Sequence, residues 1–250
     1  MSERVMEGAE PFRFEGGDVG VLVSHGFTGT TQSVRPLGEA LAREGFTVEG
    51  PRLAGHGTSV SEMARSTAQD WISSLEEGLA WLEERTRTVF VCGLSMGGTL
   101  SLYLGATHPE VVRGVIPING CVFLGNPELA RIVLSPDAPP TLPGVGSDIK
   151  KAGVEELVYD EMPVPAMKEL MALMRATDDL LPEVRCPALI LQSTEDHVVP
   201  PDNGPYFLEK VGSEHKELVR LEDSYHVATL DNDAPRIAEL AVGFIREHGG

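Results

Sequence analysis

Cysteine is scarce in this chain of 250 residues. Its three cysteines are Cys92, Cys121 and Cys186, with no Cys-x-x-Cys pair and no cysteine–histidine cluster. This odd, dispersed set argues against a disulfide framework and against a zinc site, so we expect no metal and no cofactor. Because Cys92 and Cys186 adjoin apolar runs, both are predicted to be small core residues.

Basic residues and long apolar runs are also few. Lys and Arg number 20 against 38 Asp and Glu, which gives a formal net charge of −18. This excess disfavours nucleic-acid binding and docking on anionic lipid, so at most transient membrane or micelle contact is expected. No apolar stretch could span a bilayer, and the polar first residues do not resemble a signal peptide. We therefore predict a cytoplasmic globular protein.

Apolar strands alternate with helices along most of the chain. Strands are predicted at residues 12–14, 19–23, 46–49, 88–92, 111–118, 188–192 and 217–221. Helices are predicted at residues 33–43, 68–85, 98–107, 202–211 and 235–247, with Ser33 as the N-cap of the first. This alternation predicts an α/β fold with a mostly parallel central sheet and helices on both faces.

The alternation stops between residues 121 and 181. Prolines from Pro127 to Pro143 exclude a long regular element in the first half, and a short helix is predicted at 166–175. Its apolar stripe comprises Met167, Leu170, Met171 and Met174. We interpret 121–181 as an inserted cap and 1–120 with 182–250 as the core domain. The stripe either lines an apolar tunnel under the cap or is buried as core.

The most informative motif is Gly93-Leu94-Ser95-Met96-Gly97, between a predicted strand and a predicted helix. A serine nucleophile on a strained turn needs this setting, because flanking glycines let strand and helix approach closely. The N-terminus of the helix then favours negative charge developing near the serine. The alternative is a glycine-rich turn with an incidental serine. We predict that Ser95 is the nucleophile.

A serine hydroxyl is a weak nucleophile at neutral pH and needs a base that an acid orients. In strand–turn–helix hydrolases the order is serine, acid, histidine, each after a strand. Glu195 and Asp196 both follow the strand at 188–192, and Asp196 is preferred because it precedes a hydrophobic-Pro turn. His226 is the one histidine of seven in the loop after the last strand, and is the predicted base.

An acyl oxyanion needs two backbone N–H donors. Met96, directly after the nucleophile, is predicted to supply one, and Phe27, in the loop after the strand at 19–23, the other. His25 is assigned a structural role in that loop. His56, between two glycines, is assigned a structural role or a place at the rim of the site.

Together these motifs resemble the bacterial monoacylglycerol lipases of the α/β-hydrolase superfamily over nearly the whole chain. The matching stretches are residues 25–29, 55–57, 93–97, 196–200 and 224–231. Small bacterial carboxylesterases share the first three and the His-x-x-x-Leu-Asp ending. The resemblance implies a serine hydrolase that cleaves monoacylglycerols through an acyl-enzyme. A broad carboxylesterase and a non-catalytic ligand-binding module are the alternatives.

The resemblance extends to residues 144–148 and 154–157. It implies that Val145 shapes the acyl pocket and that Glu156 holds the glycerol hydroxyls. From the residues alone, Val145 could equally be ordinary packing and Glu156 a solvated charge. A cap of about sixty residues covers one acyl chain more readily than two or three, which favours monoacylglycerols as substrates.

Overall fold

The computed structural model describes residues 4–250 as alternating strands and helices. The strands are β1 (Phe12–Phe14), β2 (Val19–Ser24), β3 (Thr47–Gly50), β4 (Thr88–Leu94), β5 (Val112–Ile118), β6 (Thr141–Pro143), β7 (Glu161–Pro163), β8 (Ala188–Ser193) and β9 (Lys216–Leu221). The helices are α1 (Arg35–Arg43), α2 (Val60–Met63), α3 (Ala68–Glu83), α4 (Met96–Thr107), α5 (Pro127–Leu134), α6 (Val164–Leu180), α7 (Asn203–Lys210) and α8 (Ala234–His248).

Seven strands form the central sheet, in the order β1-β3-β2-β4-β5-β8-β9. Only β1 runs antiparallel to its neighbour among these strands, and β6 and β7 form a separate antiparallel ladder. The predicted α/β fold with a mostly parallel sheet is therefore confirmed. Because parallel strands end on the same edge, the loops after β2, β4, β8 and β9 meet there.

Successive residues of the central strand β4 point into two different cores. Val89 and Val91 pack on the face covered by α3 and α4, whereas Phe90 and Cys92 pack on the face covered by α1 and α8. This alternation follows from the two-residue period of a strand, and burial of both faces is what a parallel sheet requires. The carboxyl end of β4 is thereby held rigidly.

The first helix begins later than the sequence predicts. A 3₁₀ turn at Thr31–Ser33 precedes α1, and Val34 occupies the N-cap without a side-chain hydrogen bond. Thr30 caps the 3₁₀ turn, and the Ser33 hydroxyl donates to the Thr30 carbonyl. The prediction of Ser33 as N-cap is therefore wrong, because local turn chemistry uses its hydroxyl one turn earlier.

Residues 121–181 leave the sheet after β5 and contain α5, the β6–β7 ladder and α6. Helix α5 begins at Pro127, where the Asn126 side chain accepts the N–H groups of Glu128 and Leu129. Helix α6 spans 17 residues, longer than predicted. None of the helices in residues 4–250 combines the length and apolar content that a membrane crossing needs.

Candidate active site

Ser95 lies at the sharp turn between β4 and α4. Its φ of 56° and ψ of −120° place a non-glycine residue in a strained conformation. Both flanking glycines are sterically required, because a Cβ on Gly93 would collide with the Gly97 carbonyl and one on Gly97 with that of Ser24. The turn places the Ser95 hydroxyl at the carboxyl edge of the sheet.

His226, in the loop after β9, contacts this hydroxyl. Its Nε2 lies 2.9 Å from Ser95 Oγ, and its Nδ1 lies 2.8 Å from Asp196 Oδ2. The side chains of His226 and Asp196 are buried, with exposures of 7% and 0%. The structure therefore joins the three residues predicted as nucleophile, base and acid in one hydrogen-bonded chain.

The Asp196 carboxylate is held in one orientation. Its Oδ1 accepts the N–H groups of Val198 and Val199 at 2.9 and 2.8 Å, which leaves Oδ2 facing the imidazole. Glu195 instead is exposed, and its carboxylate lies 3.6 Å from His197 Nε2. Of the two acids that the sequence left open, Asp196 is the one that touches His226.

The surroundings of His226 favour its charged form. Burial lowers the pKa of this imidazole, but the hydrogen bond and charge of Asp196 raise it, with smaller contributions from Glu156 and Asp148. The net result is a pKa above the usual value for histidine. Such surroundings stabilise an imidazolium at this position.

The two predicted oxyanion donors lie beside Ser95. Phe27 and Met96 line the same cavity as Ser95. Met96 is the first residue of α4, where N–H groups lack partners within the helix. A Cβ on Gly26 would lie 3.1 Å from Ser95 Cβ, a tight contact, so glycine lets this loop pass close to Ser95.

Two buried histidines support the loop that carries Phe27. His25 Nδ1 donates to the Gly26 carbonyl, and its Nε2 accepts the N–H of Leu53. His56 Nδ1 lies 3.0 Å from the Ala54 carbonyl. The rings of His25 and Phe27 lie 5.1 and 6.3 Å from that of His56, in edge-on contacts. Both histidines hold structural positions behind the oxyanion loop.

These two histidines predict a loss of stability in mild acid. Burial lowers the pKa of His25 to about 4 and that of His56 to about 3, so both are neutral when folded. The unfolded chain binds their protons below pH 6.5, so the stabilisation present above that pH is lost as the pH falls. Urea unfolding should show that wild type loses about 2 kcal/mol more than His56→Gln between pH 7 and pH 5. Equal losses in the two proteins would contradict this assignment.

An apolar cavity lies beside Ser95, beneath residues 121–181. Its apolar lining includes Leu124, Leu129, Met162, Met167, Leu170, Val198 and Val199. Only Met167 and Leu170 of the predicted stripe belong to it. Met174 packs in the core against α4, and Met171 packs beside Val133 of α5. The stripe therefore serves both the cavity and the core.

Val145 and Glu156 also line this cavity, but they differ in environment. The Val145 side chain is 53% exposed. The Glu156 carboxylate is enclosed between neighbouring atoms, and burial raises its pKa to about 7, against smaller lowering effects of His226 and Ser33. A Cβ on Gly29 would lie 2.7 Å from Glu156 Oε1, so Gly29 leaves room for the carboxylate. Glu156 is therefore not a freely solvated surface charge.

Three polar residues to which the sequence assigned no individual role organise the loop that carries His226: Asn119, Asp148 and Asp231. The Asn119 amide, directly after β5, donates to the His226 carbonyl at 2.8 Å, and its Oδ1 accepts the Ser193 N–H at 2.7 Å. An Asn-Gly pair at a strand end was the available signal for it. Asp231 is the last residue of the His-x-x-x-Leu-Asp ending, and Asp148 is the last residue of the stretch 144–148 to which the resemblance extends.

Within residues 4–250, no three His, Cys, Asp or Glu side chains are grouped so that they could hold a metal ion. All three cysteines are free thiols: Cys92 and Cys121 are buried and Cys186 is half-buried. Burial raises the pKa of the Cys92 and Cys121 thiols to about 12. Neither thiol is therefore a usable nucleophile near neutral pH.

Comparison with known proteins agrees with this architecture. A model of the alpha/beta hydrolase family matches residues 21–240. The chain is 49% identical, over the full length of both, to a thermostable monoacylglycerol lipase of Bacillus sp. (strain H-257). It is 28% identical to a carboxylesterase of Bacillus subtilis (strain 168), over 95% of this chain and 96% of that protein.

A solved structure gives the same result. It comes from work on LipS and LipT, two metagenome-derived lipolytic enzymes. It superimposes with a TM-score of 0.96 at 53% identity, covering 98% of this chain and 100% of that one. The chain belongs to the α/β-hydrolase family, as its motifs predicted.

Proposed function

We propose that this protein hydrolyses monoacylglycerols to a free fatty acid and glycerol through an acyl-enzyme. The observation that carries the proposal is the hydrogen-bonded chain from Ser95 through His226 to Asp196, beside an apolar cavity that contains one enclosed carboxylate. The full-length likeness to the Bacillus monoacylglycerol lipase supports the choice of substrate. The chain is a carboxylic ester hydrolase of the serine type.

The geometry supports a two-step acyl transfer. Ser95 Oγ attacks the ester carbonyl while His226 Nε2 takes its proton, and Asp196 keeps the imidazole oriented. The N–H groups of Phe27 and Met96 donate to the oxyanion, each contributing about 3 kcal/mol of transition-state stabilisation. His226 then protonates the departing glycerol oxygen. Water, deprotonated by His226, attacks the acyl-enzyme, and the fatty acid leaves as Ser95 regains its proton.

The cavity offers different surroundings to the two ends of a monoacylglycerol. Its leucine, valine and methionine lining suits a single acyl chain, with Val145 at a more exposed position. The Glu156 carboxylate is a polar group that can accept hydrogen bonds from the free glycerol hydroxyls. A buried acceptor left unpaired by a substrate without these hydroxyls would disfavour that substrate.

Residues 121–181 act as the cap in this proposal, with residues 1–120 and 182–250 as the core domain. Three large apolar side chains of this segment are exposed, Ile132, Leu134 and Val145. They offer a small apolar contact for lipid, whereas the net charge of −18 gives no attraction to anionic lipid. Contact with membranes or micelles is therefore transient. The three free thiols agree with a cytoplasmic location.

Glu156→Gln tests the substrate assignment. The amide keeps the volume of the carboxylate but has one acceptor oxygen instead of two. We expect kcat/KM for a monoacylglycerol to fall roughly tenfold, and that for a methyl ester of the same acyl chain to change less than about twofold. The assay is run at pH 8, where the Glu156 carboxylate is ionised. Glu155→Gln, an exposed neighbouring substitution, should leave both esters unaffected.

The carboxylesterase alternative is decided by the same assay. Its support is the likeness to the Bacillus subtilis carboxylesterase. Equal turnover of the two esters by wild type, with no effect of Glu156→Gln on either, would establish it. Folded protein without activity on p-nitrophenyl esters of any chain length would instead indicate a ligand-binding module.

A further inference from the structure

Asp148 belongs to the segment between β5 and β8, yet its carboxylate contacts two loops at the edge of the sheet. Its Oδ2 accepts the backbone N–H groups of His226 and His197, both at 3.1 Å. Its Oδ1 lies 2.8 Å from His197 Nδ1. Its main-chain carbonyl accepts the N–H of Val227 at 3.1 Å. One side chain thus joins the loop of the acid to the loop of the base.

Asp231 fixes the same junction from the opposite side. Its carboxylate accepts the N–H groups of Lys150 and Lys151 at 2.7 and 2.9 Å, and that of Tyr225 at 2.9 Å. Asp231 is 1% exposed, and the Asp148 side chain is 13% exposed. Asp148 accepts an N–H from the loop that carries Asp231, and Asp231 accepts two N–H groups from the segment that carries Asp148, which prevents Asp148 from moving away from His226.

Asp148 also brings negative charge close to the base. His226 is influenced by three carboxylates, Asp196 in direct contact, Glu156 in the shared cavity and Asp148 beside its backbone. The His197 ring, 55% exposed, is influenced by Asp148, Glu195 and Asp196, which raise its pKa. When protonated, His197 offsets part of the Asp148 charge.

We infer that Asp148 is a positioning residue for the hydrolytic reaction, holding the backbone of His226 and stabilising the imidazolium with its negative charge. The inference rests on the proposed function, since it requires His226 to act as the base. The side chain lies outside the cavity lining, so its effect falls on the chemical step rather than on substrate binding.

Two substitutions separate charge from geometry. Asp148→Asn removes the charge but retains an oxygen that can accept the N–H groups of His197 and His226. Asp148→Ala removes the charge and the acceptor oxygen together. The effect of each variant is measured as the pH profile of p-nitrophenyl ester hydrolysis. This ester is chosen because its leaving group lacks the glycerol hydroxyls that Glu156 is proposed to bind. We expect the acid limb of kcat/KM to move to lower pH by roughly half a unit in both variants, since less negative charge lowers the pKa of His226. The plateau kcat should fall roughly tenfold in Asp148→Ala alone, with KM within about twofold.

Two further variants test the direction in which the acid limb of kcat/KM moves. Asp223→Asn removes an exposed carboxylate three residues before His226, paired with Lys150, and should not move the acid limb. His197→Gln removes an exposed imidazole that is positively charged when protonated, and should move the limb to higher pH. Because His197 is exposed, this variant also tests the inference if Asp148→Ala does not fold.

Ser95→Ala is assayed alongside these variants. An inactive Ser95→Ala, together with acid limbs of the Asp148 and His197 variants that superimpose on wild type, would overturn the inference while leaving the proposed function intact. Turnover by Ser95→Ala would overturn both. Opposite displacements for Asp148→Asn and His197→Gln would establish the inference.

Discussion

Ser95→Ala is expected to lower kcat for ester hydrolysis by at least about 10⁴-fold and to abolish labelling by a fluorophosphonate probe. The reason is that Ser95 Oγ is the atom hydrogen-bonded to His226 Nε2 at the cavity, so its loss removes the attacking group and the acyl-enzyme. The measurement is initial rate on a p-nitrophenyl ester, with probe labelling as a second readout.

Ser101→Ala is the matched control for this substitution. Ser101 lies on the same helix α4, and its hydroxyl donates to the Gly98 carbonyl rather than facing the cavity. Its loss should leave labelling and turnover close to wild type. Substantial turnover by Ser95→Ala, or loss of labelling in both variants, would show that Ser95 is not the nucleophile.

Asp196→Asn is expected to lower kcat by roughly 10³ to 10⁴-fold while the protein remains folded. The N–H groups of Val198 and Val199 hold one side-chain oxygen, so the amide NH₂ would face His226 Nδ1. That donor would force the proton of the neutral imidazole onto Nε2. The protonated Nε2 could no longer accept the Ser95 proton. The base would be present in the wrong tautomer.

Glu195→Gln provides the comparison for this prediction. Glu195 is the adjacent acid, 55% exposed, and its carboxylate faces His197 rather than His226. The kcat of the Glu195→Gln variant should stay within about twofold of wild type, because Glu195 is a solvated charge. A large loss of activity in Glu195→Gln and a small one in Asp196→Asn would reverse the assignment of the acid.

The parts of the site that were predictable from sequence follow from local chemistry. Ser95 lies in a turn where a side chain on Gly93 or Gly97 would collide with backbone atoms. The motif can therefore be recognised from five consecutive residues. Asp196 follows the buried strand β8 and His226 follows the edge strand β9, and the loops after parallel strands lie at the same edge of the sheet. Sequence reasoning could therefore choose these residues without knowing any distance.

The remaining features depend on contacts between distant segments. Asp148 is 49 residues from His197 and 78 from His226, so its place in the stretch 144–148 does not reveal that it contacts them. The enclosure of Glu156 likewise comes from a loop near Gly29, far away in the chain. The apolar stripe of α6 showed which residues are buried, but periodicity cannot divide them between a cavity and a core.

The strand order has a consequence for how activity arises during folding. Ser95 and His226 are 131 residues apart, and they meet only when β8 has joined β5 and β9 has joined β8. Parallel strands that are far apart in the chain pair slowly, because the entropy cost of closing a long loop comes before any contact stabilises the pair. The contact between Ser95 and His226 therefore forms only in the completed sheet, and an emerging chain that still lacks its last 25 residues does not contain His226.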